Sequence, residues 1–185
     1  MNEAGNNKNY EANVAFVNAL CENMYSKAPS YYRLRRLFGQ KPEDDLSAYM
    51  DMLSMGRKAE EKSGISIIKP YNEDVYFLVA TMFCFMQNPD SKHVSDVKIE
   101  ELIGRLYRKG FNSTNREIGA LLDLDYNDSF RLMFVRLARR LKRELKDGER
   151  IDYAGLIKDL IHWDSCDISR KWARGVIGSA EYESA

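Results

Sequence analysis

Val75-Tyr76-Phe77-Leu78-Val79-Ala80-Thr81-Met82-Phe83-Cys84-Phe85-Met86 is the longest apolar run in the chain. Wound as a helix, it puts Val75, Phe77, Leu78, Val79, Met82, Phe83, Phe85 and Met86 on nearly every side. A helix of that kind has to be surrounded by other elements. It is too short to cross a bilayer, which takes about 20 apolar residues, and Thr81 interrupts it. A central helix opened by Asn72 or Glu73 therefore decides the fold, because it calls for amphipathic partners around it.

Those partners read outward in both directions. Toward the N-terminus, Val14, Val17, Leu20, Cys21, Met24 and Tyr25 follow three–four spacing, which predicts a helix over Glu11–Lys27. Pro29 suits the first turn of a short second helix that Gly39 ends. Pro42 opens a third, with Glu43, Asp44 and Asp45 at its positive end and an apolar stripe of Leu46, Tyr49, Met50 and Leu53. Toward the C-terminus, Val97–Arg108 reads as a helix closed by Gly110. Thr114 and Glu117 have the spacing of a capping box ahead of Ile118, Leu121 and Leu122. Asp128–Lys146 is the longest amphipathic segment, with Phe130, Phe134, Leu137, Leu141 and Leu145 on one side and Gly148 behind it. Asp152 caps a helix that turns Leu156, Ile157, Leu160, Ile161 and Trp163 inward, and Asp167 caps the last, Ile168–Ile177. No alternating strand pattern of useful length and no internal repeat is present. The expectation is an all-α bundle of about eight helices in two lobes, residues 1–110 and 111–180, with an acidic tail at 181–185.

The formal net charge of the 185 residues is zero, yet it is unevenly spread. Residues 1–100 hold 12 Lys/Arg against 14 Asp/Glu, and residues 101–180 hold 16 against 12. That polarity suits a local binding face rather than a general polycation. Cys21, Cys84 and Cys166 are odd in number and far apart, which reads as reduced, buried thiols and not as a disulfide frame. The Asn-rich start, Met1 to Tyr10, lacks the apolar core of a signal peptide, so a cytoplasmic protein is expected.

Catalytic and metal-binding patterns are sparse. His93 and His162 have no Cys or second His at ligand spacing, and there is no C-x-x-C. No Gly-rich phosphate loop or G-x-S-x-G elbow occurs. Asp123, Asp125 and Asp128 cluster at a helix junction. Three acids could hold magnesium for a nuclease, but such acids more often cap helices. No metal, no cofactor and no catalytic residue is therefore expected.

The basic segment is different in kind. Ser129–Lys146 carries Arg131, Arg136, Arg139, Arg140, Lys142, Arg143 and Lys146 against one acid, Glu144. Arg136, Arg139, Arg143 and Lys146 step by three, four and three, so a continuous helix lines them on one face. Solvated helix faces usually mix signs, since like charges four apart repel. An anionic partner offsets that repulsion, and arginine forks suit phosphate. Two further basic clusters have aromatic neighbours: Arg170, Lys171 and Arg174 around Trp172, and Arg33, Arg35 and Arg36 beside Tyr31 and Tyr32. Aromatics beside arginines can stack single-stranded bases. Trp172 is more simply core, on a stripe with Ile168 and Val176.

Four blocks carry a resemblance. Tyr76–Phe83 (Tyr-Phe-Leu-Val-Ala-Thr-Met-Phe) is similar to a Tyr-Phe-Leu-Val-Ala-Thr-Leu-Phe helix. Arg116–Asp125 (Arg-Glu-Ile-Gly-Ala-Leu-Leu-Asp-Leu-Asp) resembles an Arg-rich helix ending Ala-Leu-Leu-Asp-x-Asp. Ile151-Asp152-Tyr153 with Leu156–Asp164 resembles a Val-Asp-Trp…Leu-Leu-x-Asp-Leu-x-x-Trp segment. Arg170-Lys171-Trp172-Ala173-Arg174 resembles Arg-Arg-Trp-Ala-Arg. In this order they look like the CasB family, the small subunit of the type I-E CRISPR Cascade complex. Glu117 departs from the pattern, standing where many members show a second Arg. The resemblance implies a non-catalytic helical subunit in antiviral defence. It implies contact with the backbone and large subunits, a second copy of the chain, guide RNA and the displaced single-stranded DNA. It points to Arg116, Arg170, Lys171 and Arg174 as nucleic-acid contacts beside the basic helix; Arg33, Arg35 and Arg36, read from their own pattern beside Tyr31 and Tyr32, are secondary candidates. A helical scaffold whose basic face docks an acidic protein is the alternative.

Overall fold

The structure, a computed structural model, describes residues 3–90 and 93–181. The helices are α1 (Glu3–Tyr25), α2 (Pro29–Arg36), α3 (Leu46–Ser63), α4 (Glu73–Met86), α5 (Ile99–Arg108), α6 (Asn112–Leu122), α7 (Asp128–Leu141), α8 (Tyr153–Ile161) and α9 (Cys166–Glu181). A 3-10 turn occupies Pro42–Asp44, and two three-residue strands, β1 (Ser95–Val97) and β2 (Glu149–Ile151), complete the described residues. Among the described residues the fold is all-helical apart from that small pair.

By contacts it forms two compact units. One takes α1 to α4 and α8; the other takes β1, α5, α6, α7, β2 and α9. The contact boundary thus falls near residue 91 rather than 110, and α8 returns to the first unit. Residues 182–185 of the expected acidic tail lie outside the described residues.

In the first unit α4 is the interior, with every side chain from Val75 to Met86 buried except Phe85. α2 and α8 pack on it, and α1 packs on α3 and α8. Polar atoms inside find partners, as burial demands. Thr81 Oγ1 donates to the Phe77 carbonyl (2.9 Å), and Tyr76 Oη donates to Asn13 Oδ1 (2.6 Å). Burial pushes the Tyr76 phenol well above its ordinary range. The Tyr153 ring stands edge-on to Phe83 at 5.1 Å, and its hydroxyl accepts from Gln87 Nε2 (3.2 Å).

α3 corrects the expected stripe. Asp45 is its N-cap, accepting from the Ala48 amide (2.9 Å). Leu46 and Met50 are 68 % and 64 % exposed, whereas Ala48, Met52, Met55, Gly56 and Ala59 face inward. The inward set is rich in small residues, which let neighbouring backbone come close. A Cβ on Gly56 would collide with Cδ1 of Ile68.

In the second unit α5 packs on α9. A Cβ on Gly175 would strike the Glu100 side chain, so the glycine is what admits that buried carboxylate. Phe130, Phe134, Trp163 and Trp172 form a continuous aromatic cluster, with the two indoles edge-to-face at 4.8 Å. Trp163 Nε1 donates to the Leu124 carbonyl (2.7 Å). Trp172 is fully buried, as its stripe predicts. β1 and β2 run parallel, with Asp96 opposite Arg150.

Local boundaries also differ from the sequence pattern. α6 starts at Asn112, so Thr114 lies inside it and no capping box with Glu117 forms. α9 starts at Cys166 and runs to Glu181, which puts Asp167 in the first turn and carries the helix past Ile177. Cys21 and Cys84 are buried thiols, but Cys166 is exposed.

Candidate nucleic-acid interface

α7 begins at an Asn127 cap, whose side-chain oxygen accepts from the amides of Ser129 (2.9 Å) and Phe130 (3.1 Å). It ends at Leu141, five residues before the end of the expected basic helix. Tertiary contacts set that end. Arg143 N bonds to Arg140 O and Glu144 N to Leu141 O, which tightens the last turn into a 3-10 pattern. Lys109 Nζ pairs with Glu144 (2.6 Å). Arg105 grips Glu149 through both terminal nitrogens (2.6 and 2.8 Å), and the same carboxylate accepts from Lys146 N (2.9 Å). Gly148 turns the chain at φ +82°, a conformation that costs a side chain about 1 kcal/mol. Arg143 and Lys146 therefore sit on a turn, not on the helical face the stepping implied.

The cations of Ser129–Lys146 consequently divide. Arg136 and Arg139 are exposed on the side of α7 away from Phe134, Leu137 and Leu141, and neither has a carboxylate partner among the described residues. Arg143 and Lys146 are exposed on the turn, with Lys146 near enough to Glu149 to lower its pKa. Arg140 is committed, to Glu117 Oε2 (2.7 Å) and Thr114 Oγ1 (3.1 Å). Lys142 is half-buried in the turn. Arg131 corrects the expectation outright: at 4 % exposure it belongs to the interior. Its place follows from helical rotation, since Arg131 lies four residues before buried Val135 and beside Phe130.

Other elements add to this set. Arg116 is exposed on α6, which packs on both α7 and α9, and it has no carboxylate partner among the described residues. On α9, Arg170 and Arg174 point away from the side that buries Trp172 and Val176. Arg174 Nε donates to the Arg170 carbonyl (3.4 Å). Lys171 stands 3.9 Å from the buried Glu100 carboxylate, so it serves the α5–α9 packing. In the first unit Arg33 is tied to Asp51 (2.8 Å), while Arg35 and Arg36 are exposed, as is Tyr32.

Sequence reasoning missed one residue on the α7 face. Leu132 is 55 % exposed, four residues before Arg136 and seven before Arg139. The heptad that joins it to those arginines is legible in the sequence. Asp123, Asp125 and Asp128 are all exposed, and among the described residues no three His, Cys, Asp or Glu side chains gather where an ion could sit. His93 lies 3.6 Å from Asp96, and His162 is exposed. Chemically, what the second unit offers is a set of unpaired guanidinium forks on α6, α7, the following turn and α9. Such forks fit phosphate oxygens, and contacts to phosphate carry no sequence information.

Comparison with known proteins bears on this surface. The family model for the CRISPR-associated protein Cse2 matches residues 30–175. Among solved structures, a chain of a CRISPR RNA-guided surveillance complex superposes with a TM-score of 0.72 at 18 % identity, covering 95 % of this chain and 97 % of its own. CasB from M. ruber superposes with a TM-score of 0.68 at 19 % identity, covering 94 % and 96 %. At those identities the likeness is one of fold. A search of curated proteins finds no match.

Proposed function

Because the chain belongs to the CRISPR-associated Cse2 family, we propose that it is the non-catalytic small subunit of a type I-E Cascade complex. In this reading it binds nucleic-acid backbone and stabilises the R-loop between guide RNA and target DNA, along with the displaced strand, in antiviral defence. It works in the cytoplasm beside the backbone and large subunits and a second copy of itself. One observation carries the nucleic-acid role. Arg116, Arg136, Arg139, Arg143, Arg170 and Arg174 are exposed cations of one unit without a carboxylate partner among the described residues, while Arg105, Lys109 and Arg140 are tied to acids. Unpaired like charges disfavour the isolated fold slightly and favour a polyanion. A displaced strand needs a cationic track that ignores sequence.

Leu132 gives the alternative, docking of an acidic protein, its own observation, because an exposed leucine among arginines suits a protein partner. Salt separates the two. Single-strand affinity should fall by roughly 0.7 log unit per log salt for each phosphate neutralised. Replacing Arg136, Arg139 and Arg143 by Ala should weaken binding to an oligothymidylate and flatten that slope by about 2, from the same relation. In the assembled complex, permanganate should then reach the displaced strand more readily. Unchanged protection of that strand in the triple variant would sink the assignment.

A further inference from the structure

The first unit carries a second exposed surface of opposite chemistry. Leu46 (68 % exposed) and Met50 (64 %) are one turn apart on the outer face of α3, and Leu53 continues their line, half-buried. Tyr49 Oη donates to Glu73 at the start of α4 (2.7 Å), which brings the segment carrying Tyr71, 82 % exposed, to the same end of α3. Beyond Leu53 the stripe runs into a cleft of about 470 Å³ lined by Leu53, Gly56, Ile67 and Ile68. The cleft owes its floor to the missing side chain at Gly56, over which Ile68 lies. Its charged lining is Arg57, Glu60 and Glu61; Arg57 is 3.6 Å from Glu61, and Glu60 has no ion-pair partner among the described residues. At the other end of the stripe Glu43 and Asp44 stand exposed.

An apolar stripe one helix face wide, running into a cleft, is the shape that takes an amphipathic helix. Carboxylates at both ends make it a poor surface for nucleic acid or for an anionic bilayer. Charge complementarity selects a helix with basic residues flanking its apolar face. We propose that the Leu46–Met50–Leu53 face and the cleft beside Gly56 form a docking groove for a basic amphipathic helix of a partner protein. The groove is independent of the arginines of the second unit, so it stands or falls apart from the nucleic-acid reading.

The test uses the full chain and a defined probe. The probe is a fluorescent 16-residue Leu/Lys peptide, with leucines spaced three and four apart. A scrambled peptide of the same composition and a Leu/Glu peptide are the controls. Fluorescence anisotropy should show the Leu/Lys helix binding at least tenfold more tightly than either control. Leu46→Asp with Met50→Asp should weaken it tenfold or more, while Arg136→Ala with Arg139→Ala leaves it unchanged. Both positions are exposed, so circular dichroism should report an intact fold for the double variant. Equal binding of the scrambled peptide, or affinity indifferent to the Leu46/Met50 change, would overturn the proposal. So would a self-associated protein, seen by light scattering, that becomes monomeric in the same variant, because a second copy would then be the occupant.

Discussion

Residues of one type do unlike work within a few positions here, and Arg131 and Arg139 show it best. Both belong to α7, yet Arg131 is 4 % exposed and Arg139 is exposed. A buried guanidinium has been stripped of water, so its remaining contacts hold it in place and its stem fills space that nothing else fills. Arg131→Ala should cost about 2 kcal/mol or more of unfolding free energy, within the range for buried truncations. Arg139→Ala should stay within about 0.5 kcal/mol of the parent, as exposed substitutions do. Urea titration of both variants beside single-strand binding checks the division. Binding lost in Arg131→Ala at unchanged stability would put that residue back on the interface.

At the scale of elements, the turn after α7 rests on Glu149. Hydrogen bonding from Arg105, aided by the Lys146 amide, holds the Glu149 carboxyl below its ordinary value of 4.5. The unfolded chain therefore takes up this proton at a higher pH than the folded one. The stabilisation is complete above about pH 4.5 and is lost as pH falls through the lowered folded value. Urea midpoints for Glu149→Gln should lie furthest below the parent near neutral pH, and the gap should close as pH falls below about 4.5. A gap that does not change with pH would mean that the carboxylate's charge is irrelevant to the turn. The same turn explains what the sequence pattern missed. α4 was legible because burial all round leaves a signature in one short run. The end of α7 was not, because it depends on Arg105, 44 residues from Glu149. The β1–β2 pair joins three-residue strands 54 positions apart, too short to show alternation. α3 misled because its contact face is built from Ala48, Met52, Met55, Gly56 and Ala59, while Leu46 and Met50 face out. The candidate site was legible as a charge excess, but not in its division between paired, buried and open arginines, which only tertiary partners decide.

For the whole molecule, a neutral total conceals two units of opposite sign. Assigning every residue to its contact-defined unit gives 11 Lys/Arg against 13 Asp/Glu in the first and 17 against 15 in the second. The chain also crosses between them out of order, since α8 completes the first unit after most of the second has been made. α8 lays Tyr153, Ala154, Leu156, Ile157 and Leu160 into that core, against α1 and α4. The aromatic cluster of the second unit meanwhile draws on Trp163 and Trp172, just beyond α8. Stability in one unit should therefore answer to residues that sequence order places amid the other. Tyr153→Ala removes a ring at 1 % exposure and should cost about 3 kcal/mol, as large-to-small aromatic changes do. Hydrogen exchange can locate that loss, because protection reports the free energy of local opening. Amides of α1 and α4 should exchange faster by about two powers of ten, the equivalent of that 3 kcal/mol at 1.4 per tenfold. Those of α5 and α9 should keep their rates. Faster exchange confined to α5 and α9 would mean that α8 supports the second unit, and the contact boundary would have to be redrawn.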